Sequence, residues 1–269
     1  MTSPNESVPA EVRRDRILAL LRDEEYVRIA QLAEDFGVSV VTIRADLDYL
    51  GERKLVRRVR GGASQLALEP DSEPTFELSL GSSAVEKAAI AEAAAGMVRS
   101  GESIVIDSGT TTTFLAKALV ARRDLSDLVI FTNGMTIAHE LEPAIPRFTV
   151  ILTGGTLRPA QHALVDPLAG RILDHIHANI VFLGCNGLHP ESGATNISLP
   201  DAEVKQRMVR AASKCVVVAD SSKLGRIELV PICGIADIDL LVTGEQADAG
   251  QVMALREQGL TVELAAETV

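Results

Sequence analysis

Five clusters of small polar residues each follow directly on a short apolar run. They are Asp107-Ser108-Gly109-Thr110-Thr111-Thr112-Thr113, Thr132-Asn133-Gly134, Thr153-Gly154-Gly155-Thr156, Gly184-Cys185-Asn186-Gly187 and Asp220-Ser221-Ser222-Lys223. Glycine lets a backbone approach a ligand, and the free amides of a helix start, with Ser and Thr hydroxyls, suit a phosphate. Ser108 to Thr112 has that chemistry, and a plain capped strand-to-helix turn explains the same residues equally well. No Gly-Lys-Ser/Thr completes a Walker loop, so a nucleoside triphosphate is not the expected ligand. One such loop is ordinary turn chemistry; several on one rim describe a binding crevice. Lys205, on a helix opened by Pro200-Asp201-Ala202-Glu203, and Lys223 offer cations for a phosphorylated ligand, although each alone reads as a surface lysine. Asn133, Asp107 and Asp201 could read hydroxyls. Asp107, Asp201 or Asp220 could instead do acid–base work, which needs only a positioned carboxyl. His139, His162, His175, His177 and His189 lack metal-type spacing, and no Ser/His/Asp or Cys/His set assembles.

A second constellation lies nearer the start. Leu32 to Val38 and Ser39 to Leu50 read as two short helices around a tight turn. Gly37 suits the left-handed conformation that ends one helix, and Ser39 can cap the next. Ile43, Leu47 and Leu50 form one buried stripe. Ser39, Val40, Thr42 and Arg44 then face outward, where a recognition helix carries its DNA contacts. Leu55 to Arg60 alternates like a strand; paired with the Val27 segment, it would project Arg57, Arg58 and Arg60 as a basic wing.

The elements that must position these residues follow from periodicity. Val12 to Leu21 is an amphipathic helix, with Arg13, Arg14, Asp15 and Arg16 between its apolar positions. Ala30 to Phe36 and Val40 to about Arg53 complete a winged helix-turn-helix over residues 11–63, after a flexible N-terminus (1–10). Residues 64–80, with Pro70 and Pro74, read as a linker. From 81 to 269 a helix at Glu86 to Val98 precedes seven apolar runs: 103–107, 128–132, 148–152, 180–183, 215–219, 240–243 and 260–264. Strands alternating with helices predict a larger, mostly parallel α/β domain, ligated at the strands' carboxyl ends.

Charge agrees with that division. The chain of 269 residues carries a net −11, yet residues 11–63 hold eleven Lys/Arg against ten Asp/Glu. A local basic ridge (Arg44, Arg53, Lys54, Arg57, Arg58, Arg60) suffices for phosphate contact while the acidic bulk repels DNA elsewhere. A solvated charged face is the bland reading of that run. Cys185, Cys215 and Cys233 are few and dispersed, which predicts buried reduced thiols. No apolar run reaches a membrane-span length, and Met1 to Ala10 lacks a basic-then-apolar leader; the expectation is a cytoplasmic protein.

Taken together these residues resemble the DeoR family of bacterial transcription regulators. Ser39 to Leu47 and the Leu55…Arg58…Gly61-Gly62-Ala63 wing carry the N-terminal likeness. Glu86-Lys87, Asp107 to Thr111, Thr132-Asn133, Gly154-Gly155, Asn186-Gly187, Asp201-Ala202…Lys205 and Asp220 to Lys223 carry the rest. The resemblance implies a sensor domain related to ribose-5-phosphate isomerase and CoA-transferase-like folds. It implies no cofactor, a phosphorylated sugar or derivative as effector, and operator DNA as partner. It further implies a homodimer or homotetramer that represses a carbohydrate-catabolic operon. Ala45 replaces a second basic residue common in the family, Arg60 a wing histidine, and Asp201 a glutamate. The alternative is an isomerase-like sugar-phosphate enzyme carrying a DNA-binding module.

Overall fold

The computed structural model describes residues 9–23, 26–53, 55–64 and 73–266, which fall into two units, Met1–Ser82 and Ser83–Val269. Residues 1–8 of the expected terminus, Lys54 of the basic run and 65–72 of the expected linker lie outside the described residues.

In the first unit, helices α1 (Ala10–Asp23), α2 (Ile29–Asp35) and α3 (Val40–Glu52) enclose one small core. Gly37 takes φ 61°, as the turn requires, and the Ser39 hydroxyl accepts the Thr42 amide at 3.0 Å to open α3. Ile43, Leu47 and Leu50 are buried against Ile17, Leu21, Leu32 and Val56. Each such side chain contributes about 1.5–3 kcal/mol on burial. Strands β1 (Tyr26–Arg28), β2 (Arg57–Val59) and β3 (Gly62–Ser64) form an antiparallel sheet in the order β1-β3-β2. The wing strand therefore does not pair with the Val27 segment, as the sequence suggested. The chain turns at Gly61, and β3 inserts between them, Ala63 facing both Val27 and Arg58 in register. Gly62 permits this, because a Cβ there would stand 2.0 Å from the Val27 carbonyl oxygen. A short helix, α4 (Phe76–Gly81), capped by Thr75, occupies the end of the expected linker.

The second unit begins with α5 (Ala84–Ala95), β4 (Ser103–Ile106), α6 (Thr110–Ala121), β5 (Leu128–Thr132) and α7 (Met135–Leu141). β6 (Phe148–Leu152), β7 (Thr156–Arg158), β8 (Ala163–Val165), β9 (Ala178–Leu183), β10 (Gly187–His189) and β11 (Gly193–Asn196) follow. α8 (Leu199–Arg210), β12 (Ala212–Val218), β13 (Val230–Cys233), β14 (Leu240–Gly244), α9 (Ala249–Glu257) and β15 (Val262–Ala265) complete it. All seven apolar runs join one parallel sheet, ordered β15-β14-β12-β9-β4-β5-β6. Its central strands are buried on both faces, which is why they read as unbroken apolar runs. Ile104 and Ile106 face a core shared with α5, α6 and α7; Val105 faces the opposite core, shared with α8 and α9. β10, β11 and β13 form a small antiparallel sheet and β7–β8 a hairpin, neither of which the sequence singled out.

Candidate functional site

The sheet order sets where a ligand crevice forms. From β4 the chain proceeds to β5 on one side; β9 pairs with β4 on the other side and leads toward β12. Helices α6 and α8, which follow these two strands, cover opposite faces. The carboxyl ends of β4 and β9 therefore flank the topological switch point, where open α/β sheets bind ligands.

A buried charged cluster occupies that point. Asp107 leaves β4 fully buried. Its Oδ2 accepts the Gly184 amide, beyond β9, at 3.0 Å and pairs with Lys205 Nζ from α8. Lys205 also donates to the Gly184 carbonyl at 3.1 Å. One turn earlier on α8, Asp201 Oδ2 pairs with Arg158 from β7. Asp107 Oδ1 and Asp201 Oδ1 are both buried without a hydrogen-bond partner. Burial pushes the Asp107 carboxyl up to about 6, Lys205 opposing the shift. Burial opposes the charge on Lys205, but Asp107 and Asp201 outweigh it and hold the ammonium above its usual range.

The other expected effector residues border this cluster to different degrees. The Ser108 amide donates to Asn133 Oδ1 at 2.8 Å, and Asn133 Nδ2 donates to the Leu164 carbonyl, so the β4 and β5 ends are tied together. Gly109 is the N-cap of α6, which starts at Thr110. The Thr112 and Thr113 hydroxyls donate back to the Gly109 carbonyl at 3.0 and 2.7 Å. Thr112 thus commits its proton inward; the first-turn amides of Thr110 to Thr112 have no carbonyl within the helix to pair with. Gly154 and Gly155 follow β6, and Asn186 Oδ1 accepts the Ile197 amide at 3.3 Å. Asp220 accepts the Ser222 amide at 3.1 Å and lies 3.8 Å from the buried Lys87. Glu86, also buried, accepts the Ser221 amide at 2.6 Å. Lys223 is half-buried on a single 3₁₀ turn. It and Lys205 both oppose the burial that pushes the Cys185 thiol up to about 12.

Sequence reasoning missed three members of this rim. Arg158 carries no motif; only the β7 hairpin brings it to Asp201. Glu86 and Lys87 were seen as a motif but given no place in the site. The cysteines are free thiols but neither dispersed nor uniformly buried: Cys185 and Cys233 are half-buried, and a hydrogen bond with Cys233 helps push the Cys215 thiol up. Among the described residues no group of His, Cys, Asp and Glu could hold a metal ion.

In the first unit the expected contact residues lie along α3 and the wing. Ser39 and Thr42 bond one another's hydroxyls at 2.8 Å. Val40, Arg44, Arg57 and Arg60 are exposed. Arg58 bridges back to Asp48 on α3 at 3.0 Å and to the Gly62 carbonyl at 3.3 Å. Asp46, on the inner side of α3, is buried between Arg13 Nε (2.6 Å) and Arg14 Nε (2.8 Å) of α1. In the sequence those arginines form the polar side of an amphipathic helix, and their spacing gives no hint of a partner more than thirty residues away. Arg14 and Arg53 stack on the Tyr49 ring, each 3.7 Å from its centre.

Two family descriptions match the chain: a DeoR-like helix-turn-helix domain over residues 13–67 and a DeoR C-terminal sensor domain over 82–245. A regulator named GlpR from Haloferax volcanii is 36% identical over 257 residues, covering 95% of this chain and 97% of its own. A putative aga operon transcriptional repressor from Escherichia coli O157:H7 is 32% identical over 256 residues, covering 95% and 94%. Among solved structures, ribose 5-phosphate isomerase A from Neisseria gonorrhoeae overlaps 51% of this chain and 52% of its own, with 18% identity and a TM-score of 0.38. No helix among the described residues is long and apolar enough to cross a membrane.

Proposed function

The chain belongs to the DeoR family of DNA-binding transcriptional regulators, and from that premise we propose that it represses a carbohydrate-catabolic operon and leaves its operator when a phosphorylated sugar or derivative binds. It is a regulator and not an enzyme, in line with relatives that are themselves named as regulators and repressors. Such a role belongs in the cytoplasm, with the DNA.

The observation that carries the effector reading is the pair of unpartnered oxygens, Asp107 Oδ1 and Asp201 Oδ1, at the switch point. A buried acceptor without a donor costs about 1–3 kcal/mol, and a ligand hydroxyl removes that cost. The first-turn amides of α6 supply the anion site beside it. Lys205 is already balanced by Asp107, so its part is to aim that carboxylate, and Lys223 offers its cation to a phosphate. Asn133 fixes the loop that carries Ser108.

On the DNA side, Arg44 reaches into the groove while Arg57, Arg58 and Arg60 hold phosphates. One module spans one half-site, so copies act in pairs on an operator as a homodimer or homotetramer. The effector must favour an arrangement of copies that cannot span both half-sites, since equal affinity would shift nothing.

The test is footprinting upstream of the gene and its neighbours at low salt, repeated with a panel of sugar phosphates. Protection that one sugar phosphate abolishes is expected. No protected duplex overturns the repressor reading; protection that no member of the panel moves overturns the effector reading. Calorimetry on a Gly109→Val, Lys205→Ala double variant locates the site: retained binding would place it elsewhere.

A further inference from the structure

The outward stripe of α3 holds a group that the arginines do not account for. Val41, Arg44, Ala45 and Asp48 are exposed at helical spacing, on the side opposite Ile43, Leu47 and Leu50. Val41 is 71% exposed and its neighbour Val40 40%. β-Branched residues lose rotamer freedom in a helix, and here no burial compensates for it. The polar groups beside them are engaged. The Ser39 and Thr42 hydroxyls bond each other at the cap, and Asp48 is held by Arg58. With Asp48 held by Arg58, the stripe presents Val41, Arg44 and Ala45 side by side: one cation between two apolar side chains.

We propose that Val41, with Ala45 beside it, seats the C5-methyl of a thymine in the major groove, next to a guanine read by Arg44. The proposal rests on the DNA-binding role and goes beyond it by naming the base-pair chemistry. Each base pair shows a distinct pattern in the major groove, and thymine alone presents a methyl there; arginine pairs bidentately with guanine O6 and N7. Helix residues three or four apart stand about 5–6 Å from one another. Successive base pairs rise about 3.4 Å. Val41 therefore addresses a base pair one or two steps from the one Arg44 reads. Val41 and Ala45 are the neighbours of Arg44 on that stripe that carry no charge, and a flanking T·A pair suits them better than a second G·C.

The test uses the full chain. Duplexes it binds are selected from a randomised pool, and each thymine of the winning half-site is replaced in turn by deoxyuridine, which pairs identically and lacks only the methyl. One replacement is expected to weaken binding about fourfold, the size of burying a single methyl. Val41→Ala should bind both duplexes alike, with its far-UV circular dichroism unchanged because the side chain is exposed. Arg44→Ala should keep the methyl preference and lose the guanine preference. Indifference of the native chain to every thymine methyl overturns the proposal, as does a preference that persists in Val41→Ala; an apolar stripe left idle by DNA would then belong to a protein partner. A chain that selects no duplex at all overturns the operator reading as well.

Discussion

Asp46 in the first unit and Asp107 in the second are each almost wholly buried, and each is held by cations. They differ in what is left over. Arg13 and Arg14 take one oxygen of Asp46 each, so the carboxylate is satisfied and joins α1 to α3. At Asp107, Lys205 and the Gly184 amide share Oδ2, and Oδ1 has no partner. A satisfied buried ion pair fixes helices in place. An unsatisfied one keeps an acceptor ready for something that arrives later, and such atoms in folded proteins call for an explanation of that kind.

The hardest test of this contrast is Asp46→Ala. It removes the buried carboxylate that Arg13 and Arg14 share, and breaking a buried ion pair costs about 3–5 kcal/mol. Both tyrosines of the chain, Tyr26 and Tyr49, lie in the first unit, and there is no tryptophan. Tyrosine fluorescence during urea unfolding therefore reports that unit alone, and its midpoint should fall sharply. An unmoved midpoint would mean that Asp46 is no strut.

Asp107→Asn comes next. Loss of a charged acceptor should weaken sugar-phosphate binding by about 10- to 150-fold in calorimetry. Operator affinity without effector should stay as it is. A parallel loss of operator affinity would erase the distinction between the two carboxylates.

The third test is pH. Asp107 must be ionised for both of its oxygens to accept, and its carboxyl is raised to about 6. Effector affinity should rise about tenfold between pH 5 and 7 as that group ionises. The linked effect on folding runs the other way. A carboxyl raised on folding binds its proton more tightly in the folded chain, so its contribution falls as pH climbs from about 4 to 6. Asp107→Asn should remove both slopes.

The smallest effect belongs to Arg58. Its pair with Asp48 is largely exposed, which limits its worth to about 0.2–1 kcal/mol. In Arg58→Ala, stability should barely move, while the salt dependence of operator binding should become shallower by about one ion.

Legibility in the sequence followed how local the determining physics was. Leu128 to Thr132 and Phe148 to Leu152 could be bounded to the residue because each is a short run of β-branched and apolar side chains between polar turn residues. α3 was legible from its serine cap and its stripe. β3 was not, since Gly62-Ala63-Ser64 is short and shows no alternation. Arg158 and Arg13 were not legible as partners of Asp201 and Asp46, because each reaches its carboxylate across more than thirty residues.

Residue order alone settled the helix-turn-helix, the succession of strands and helices, and which loops are rich in phosphate-binding chemistry, since caps, periods of two and of 3.6, and glycine punctuation act over a few neighbours. The three-dimensional fold decided the strand order, and with it the meeting of Asp107, Gly184 and Lys205 at the ends of β4 and β9. It also decided which carboxylate oxygens end up paired. Those outcomes depend on hydrogen-bond ladders and buried charge between distant segments, and no short window of sequence contains both partners.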